Sequence, residues 1–299
     1  MARFLADLRN VTGPTTLGRV VRQLLANDAM ALAGQLAYFF VLFLFPFLIF
    51  MVSLVGLVVD SPESILKALV VSTEGFLPQE AIELLSNHLD RTLRSTTSLT
   101  FLLACLLTLL TGAASTESIM NAANRSYGVP ETRSFLKRWI IDILLIFGFT
   151  LLVATMAFMV LSPRTGTYLQ SAIGLPDAFS HYWGVLSWTV VLLNLTLAFD
   201  ILFYLAPNVD LPFRWVTPGG FVTTVLLLIS NKIFIFWASN IFRSDQLFGQ
   251  LAIGVVLLLW LFIVGLVVLA GIEINAQLVR MAEEQRSAQI VEPPEANPR

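Results

Sequence analysis

Six stretches of more than twenty mostly apolar residues recur along the chain: Ala29–Val59, Leu99–Met120, Trp139–Leu161, Trp183–Leu205, Trp215–Trp237 and Leu251–Leu278. A hydrocarbon layer about 30 Å thick is crossed by about 20 apolar helical residues, and each backbone N–H and C=O inside it needs an internal partner. The chain is therefore confined to one architecture, an all-α, polytopic transmembrane bundle of six spans. Of its 299 residues 57% are hydrophobic and only 13% charged, against about 25% charged in an ordinary soluble domain. No link between spans is long enough for a second folded domain.

Six spans put both termini on one side, and the arginines and lysines choose it. Arg3, Arg9, Arg19, Arg22, Arg125, Arg133, Lys137, Arg138, Arg214, Arg280, Arg286 and Arg299 fall on the side of the termini. Lys67, Arg91, Arg94, Arg164 and Arg243 fall opposite, and Lys232 lies inside a span. Both termini are thus expected in the cytoplasm and the protein in a bacterial inner membrane. Residues 1–28 show no cleavable signal. Instead Leu17, Val20, Val21, Leu24 and Leu25 recur at helical spacing among arginines, which predicts an interfacial helix. Residues 29–280 form the transmembrane domain, with an external helical cap over 60–98 that starts at Ser61-Pro62-Glu63 and Leu77-Pro78-Gln79-Glu80. Residues 281–299, ending in a run with Glu292-Pro293-Pro294-Glu295, read as a disordered cytoplasmic tail.

The formal net charge of −2 argues against a nucleic-acid partner, whose phosphates select a basic face. The single Cys105 excludes an intrachain disulfide. His88 and His181 fall in separate external segments and match no metal-ligand spacing, and neither a Gly-x-Ser-x-Gly elbow nor a Cys/His pair is present. The sequence offers no catalytic residue, no metal site and no cofactor, and the chain reads as a non-enzyme. A Gly-rich Lys-Ser/Thr phosphate loop is also missing, so any transport must be passive, ion-coupled or driven by a partner.

Ionisable residues inside spans are costly and usually face protein or water. Glu117, Asp142, Asp200 and Glu273 all fall near the cytoplasmic ends of their spans and form one carboxylate tier, bordered by Arg125, Arg133, Lys137 and Arg138. The tier reads either as salt bridges locking the helices or as a polar vestibule for a substrate or cation. On the second span Glu117, Asn121 and Asn124 share one face, beside a row of Thr108, Thr111, Ser115 and Ser118 that suits close helix packing. Lys232 stands apart toward the external end, where a long cation either snorkels outward or pairs within the bundle. Pro46, Pro207, Pro218 and Gly219 mark breaks in the helical pattern, a feature that transporters often use at binding sites.

Four groups of residues carry a family resemblance. They are Leu36-Ala37-Tyr38-Phe39 with Leu44-Phe45-Pro46; Ala122-Ala123-Asn124-Arg125-Ser126-Tyr127-Gly128 with Arg133-Ser134-Phe135; Leu202-Phe203-Tyr204-Leu205-Ala206-Pro207-Asn208 with Pro218-Gly219-Gly220; and Phe248-Gly249-Gln250-Leu251 through Trp260 to Ala270-Gly271-Ile272-Glu273-Ile274-Asn275. In their order and spacing, over residues 20 to 280, the chain resembles the YihY/BrkB family of bacterial inner-membrane proteins. The resemblance implies six helices and, through members connected with serum resistance and envelope lipid export, a transport role without an agreed substrate. An old ribonuclease BN label for the family was withdrawn. Phe39 and Phe248 stand where the family pattern has tyrosine, and Gly220 where it has alanine. The function expected is a transporter or flippase-like permease for an amphipathic or anionic envelope molecule, with Glu117, Asn121, Asn124, Arg125, Asp142, Asp200, Lys232, Glu273 and Asn275 as substrate- or ion-binding candidates. Membrane lipids are its expected partners, with envelope proteins or a second copy of the chain beside them. The alternative is a non-transporting scaffold for envelope proteins.

Overall fold

Pro218 begins a helix rather than interrupting one, and this placement organises the half of the molecule that matters most. In the computed structural model, which describes residues 14–58, 98–160, 178–211, 215–241 and 249–291, seven helices follow in chain order: α1 Pro14–Ala26, α2 Ala29–Val58, α3 Ser98–Tyr127, α4 Phe135–Val160, α5 Ala178–Leu205, α6 Pro218–Ile241 and α7 Gly249–Val291. All but α1 are long and apolar enough to cross a membrane. The all-α, six-span expectation holds. The cap expected over 60–98 lies outside the described residues.

The six long helices pack in chain order into a closed ring, α2 on α3 through to α7, which returns to α2 and also touches α3. Lipid tails are as apolar as leucine, so small residues that admit close approach, rather than hydrophobic burial, hold such helices together. Gly112 of α3 lies where a Cβ would meet Ile146 of α4 at 2.6 Å and Phe43 of α2 at 3.1 Å. Three residues on, Ser115 donates to the Phe39 carbonyl of α2 at 3.2 Å. Within the hydroxyl row on α3, Ser115 thus serves this close packing. Gly265 of α7 brings the Ala33 backbone of α2 within 3.3 Å of its own missing Cβ. Leu36, Met120, Ala123, Phe203 and Ile272 fill the interior, whereas Leu103, Leu106, Phe147, Leu193 and Phe236 are exposed outward.

Helix ends follow local chemistry. Asp28 takes φ 55° between α1 and α2, a left-handed conformation that aspartate tolerates better than most residues. Gly128 at φ 70° ends α3; its N–H bonds the Arg125 carbonyl at 3.1 Å and that of Val129 the Asn124 carbonyl at 3.0 Å, the two bonds of a Schellman cap. Pro46 sits within α2, which continues through it. Pro207 follows the end of α5.

α1 lies on α7. Buried Val20 packs against Ile274, Arg19 pairs with Glu284 at 3.2 Å, and Leu17, Val21 and Leu25 form an exposed apolar stripe at four-residue spacing. The disordered tail expected from residue 281 is corrected in part: α7 runs on to Val291, because Ala282, Glu283, Glu284 and Gln285 are good helix formers and α1 covers one side.

Candidate functional site

The first turn of α6 is built against two neighbours. Thr217 is its N-cap, a residue type whose side-chain oxygen accepts from the N–H two or three positions on; here Gly220 N–H donates to Thr217 Oγ1 at 3.1 Å. Pro218 occupies the first helical position, where a missing N–H leaves nothing unsatisfied. Gly219 N–H donates to Asn275 Oδ1 of α7 at 2.9 Å, and Asn275 Nδ2 donates to Thr217 Oγ1 at 3.0 Å. The Thr217 N–H donates to Asp200 Oδ1 of α5 at 3.1 Å, and the Thr217 hydroxyl donates to the same oxygen. Phe221 N–H closes the turn on the Thr217 carbonyl at 3.1 Å.

Every backbone donor of this helix start is therefore spent. A helix N-terminus is ordinarily a ready anion site because its N–H groups point outward unpaired; this one has given them to Asp200, Asn275 and its own cap. The Thr217 hydroxyl is also saturated, with one donor and two acceptor positions used. Glycine makes the closeness feasible. A Cβ on Gly219 would lie 2.4 Å from Asn275 Oδ1, one on Gly220 2.0 Å from Asp200 Oδ1, and one on Gly271 of α7 1.8 Å from Thr223 Oγ1. One atom is left over: Asp200 Oδ2 is buried without a hydrogen-bond partner among the described residues, in a side chain only 1% exposed.

Beside it opens a cavity of about 340 Å³, with Asp200, Thr217 and Asn275 as polar lining, Phe203, Leu211, Leu278 and Val279 as apolar lining, and Glu283 and Arg286 among its charged residues. Asp200, Asn275, Pro218 and Gly219 are thus gathered in one place. Pro218 and Gly219 are not a break within the helix, because the span expected from Trp215 starts three residues later.

The remaining carboxylates take partners of their own. Glu273, fully buried, accepts from Arg280, from Gln277 at 3.1 Å and from Asn27 at 3.4 Å; Arg280 also donates to the Ser126 carbonyl at 2.8 Å. Asp142 accepts from Thr116. Glu117 pairs with Arg138 at 2.8 Å on a half-exposed surface. Among the described residues no hydrogen bond or ion pair joins any two of the four, so the tier is four local arrangements at one end of the bundle. Lys232 is exposed on α6 and lines neither described cavity.

At the same end lies a polar knot. Asn124 Oδ1 accepts the Asn208 N–H at 2.6 Å, and Asn124 Nδ2 donates to Glu131 at 2.7 Å. Glu131 pairs with Arg133 at 2.6 Å, and Arg133 donates to the Leu205 and Ala206 carbonyls at 2.9 and 2.8 Å. The Arg133 guanidinium holds the Glu131 carboxyl well below its ordinary range, at about 2. Asn208 closes the knot through Pro130 and Thr132. Asn121, Asn124, Arg125 and Glu131 line a second cavity of about 450 Å³ against α2. Asn124 thus belongs to both a lock and a cavity wall.

The knot and the first turn of α6 lie within the stretch of the chain that matches a known family. Residues 20–295 match the family described as Virulence factor BrkB. The chain belongs to the BrkB family. It is a multi-pass membrane protein of a bacterial membrane family. This BrkB family chain is 30% identical, over 84% of its length and 90% of the relative's, to the "Putative ribonuclease-like protein YfkH" of Bacillus subtilis (strain 168). It is 27% identical to a UPF0761 membrane protein of Alcanivorax borkumensis over 71% of its own length and 48% of the relative's. With UPF0761 membrane protein AZOSEA40600 of Aromatoleum aromaticum it shares 24% identity, over 91% of its own length and 67% of the relative's. No solved structure matches the chain.

Sequence reasoning did not single out Thr217, Glu131, Asn208, Gln277 or Asn27 as site residues. Thr217-Pro218 is an N-cap and first-position signature and was the available signal for the first of these. Asn208 and Asn27 meet partners more than 70 residues away, which no local pattern reports, whereas Gln277 lies one helical turn after Glu273 and Glu131 two residues before Arg133, spacings that were readable locally.

Proposed function

We propose that this BrkB family member is an inner-membrane permease, flippase-like in action, that moves an amphipathic or anionic envelope molecule and admits it at the cytoplasmic end of the bundle. The observation that supports this is the cavity of about 340 Å³ beside the first turn of α6, within the range of small-molecule sites of roughly 300–1,000 Å³. Its lining is itself amphipathic: apolar residues of α5 and α7, three polar side chains from three helices, and Arg286 to meet an anionic group. The positive-inside count supports an orientation with the termini and both cavities toward the cytoplasm, and membrane lipids are the partners this role requires. The sequence offers no catalytic arrangement, so the ribonuclease-like name stays with the Bacillus relative.

The test is lipid movement in reconstituted vesicles. Wild-type protein should speed the exchange of a fluorescent anionic phospholipid between leaflets, and Asp200→Asn or Arg286→Gln should slow it. If wild type moves the probe no faster than protein-free vesicles, the permease reading fails. The closed knot of Asn124, Glu131, Arg133 and Asn208 favours the second reading, a static scaffold for envelope proteins or for further copies of the chain. Under that reading the cavity variants leave every transport measurement unchanged, while a knot variant such as Arg133→Gln abolishes cross-linking to envelope neighbours.

A further inference from the structure

The two oxygens of Asp200 meet different fates. Oδ1 accepts both the N–H and the hydroxyl of Thr217, whereas Oδ2 is closed off from solvent with no partner among the described residues. An ionised carboxylate can only accept, and an anionic oxygen held dry and unpaired is among the costliest groups to bury. Among the described residues no cation pairs with it. Tyr127 of α3, Tyr204 of α5, and Glu283 and Arg286 of α7 line the adjoining cavity, and none ion-pairs with Asp200. Glu273 and Arg280 of α7 are engaged with each other. Arg133, from the loop before α4, is engaged with Glu131 and the end of α5. On α6 the nearest charge is Lys232, about 21 Å farther along at 1.5 Å per residue. The backbone donors of α6 are already spent. What satisfies Oδ2 must then arrive from outside this set and occupy almost no volume.

We propose that Asp200 is a proton-binding site: Oδ2 carries a proton while the first turn of α6 is seated on α5 and α7, and releases it to the adjoining cavity when that turn moves away. The Oδ2–H bond breaks, its electron pair stays on the carboxylate, and the proton passes to cavity water. The resulting anion gives up the two Thr217 donors as the turn leaves and is solvated by the cavity water that takes the proton. A metal cation suits the place less well. It needs several oxygen ligands around it, and the nearest hydroxyl, Thr217 Oγ1, already uses all its lone pairs. The site rests on its own geometry; its use to couple a proton to transport rests on the permease reading.

Infrared spectroscopy of the full chain in lipid nanodiscs, grown with aspartate carrying ¹³C at the side-chain carboxyl, tests the site directly. At neutral pH the protonated-carboxyl stretch should move with the label, vanish in Asp200→Asn and persist in Asp142→Asn and Glu273→Gln. Asparagine keeps Oδ1 as an acceptor and places an amide where the acid O–H stood, so the fold should survive. Should that variant not fold, a label-shifted band in wild type that persists in Asp142→Asn supports the site. No band at neutral pH, a band indifferent to the label, or a band surviving Asp200→Asn overturns it. The coupling is read from vesicles. Lipid movement should respond several-fold to an imposed pH gradient in wild type and not at all in Asp200→Asn. Movement indifferent to the gradient in wild type overturns the coupling, and a labelled band with no lipid movement overturns the permease while the proton site stands.

Discussion

Asn275 on α7 accepts the Gly219 N–H of α6 at 2.9 Å while its own amide donates to Thr217 Oγ1 at 3.0 Å, so one side chain clamps both the cap and the first turn of the neighbouring helix. Asn275→Leu leaves the buried Gly219 N–H without an acceptor. An orphaned buried donor costs about 1–3 kcal/mol, and thermal unfolding in detergent should show a loss of that order.

Alanine at Gly220 and at Gly148 should act in opposite directions. Both positions are helical, and alanine gains about 1 kcal/mol over glycine in a helix interior. At Gly148 nothing lies within 4 Å of the added carbon, whereas at Gly220 it meets Asp200 Oδ1 at 2.0 Å. Overpacking costs typically 1–3 kcal/mol. Gly148→Ala is expected to raise the unfolding temperature and Gly220→Ala to lower it; a rise for both would mean that the α5–α6 contact yields freely.

The Glu131 carboxyl, held at about 2 by Arg133, links the knot to pH. A carboxyl depressed on folding binds fewer protons folded than unfolded, so its contribution is present above the ordinary value of 4.5 and is lost as pH falls toward about 2. Glu131→Gln should therefore lower the unfolding temperature at neutral pH, with the gap to wild type closing over that acid window. A gap that stays constant down to the lower limit would show that the pair contributes through packing alone.

Removing Arg280 should hurt more than removing Glu273. Arg280→Met strands a fully buried carboxylate, and breaking a buried pair from one side costs about 3–5 kcal/mol. Glu273→Gln leaves a neutral acceptor against an arginine whose side chain is one-third exposed. In a double-mutant cycle on unfolding, the two together should cost clearly less than the sum.

Lys232→Leu should be close to silent. The side chain is exposed, and surface changes away from special features usually fall within about 0.5 kcal/mol. A strong effect on stability or lipid movement would show a role for it inside the bundle.

The six helices were legible because length and apolarity decide a membrane span almost alone, and α1 because Leu17, Val20, Val21 and Leu25 repeat at helical spacing. Charge depth along the spans assigns Asp142, Asp200 and Glu273 to one end. What hydropathy does not encode is rotation about each helix axis. Asp200 and Glu117 look alike in sequence, yet one faces the α6 cap and the other half-exposed Arg138. Besides nearby Glu131, Asn124 and Arg133 reach partners 72 or more residues away, at Asn208 and Leu205, a pairing that only the closed ring of helices brings about.

α7 runs unbroken for 43 residues, about 65 Å at 1.5 Å per residue, roughly twice the thickness of the hydrocarbon layer. Its close crossing with α2 lies at Gly265. Glu284 lies about 28 Å from that point along the rod, so a tilt of only about 5° carries it about 2.5 Å. That displacement is enough to part Glu284 from Arg19 of α1.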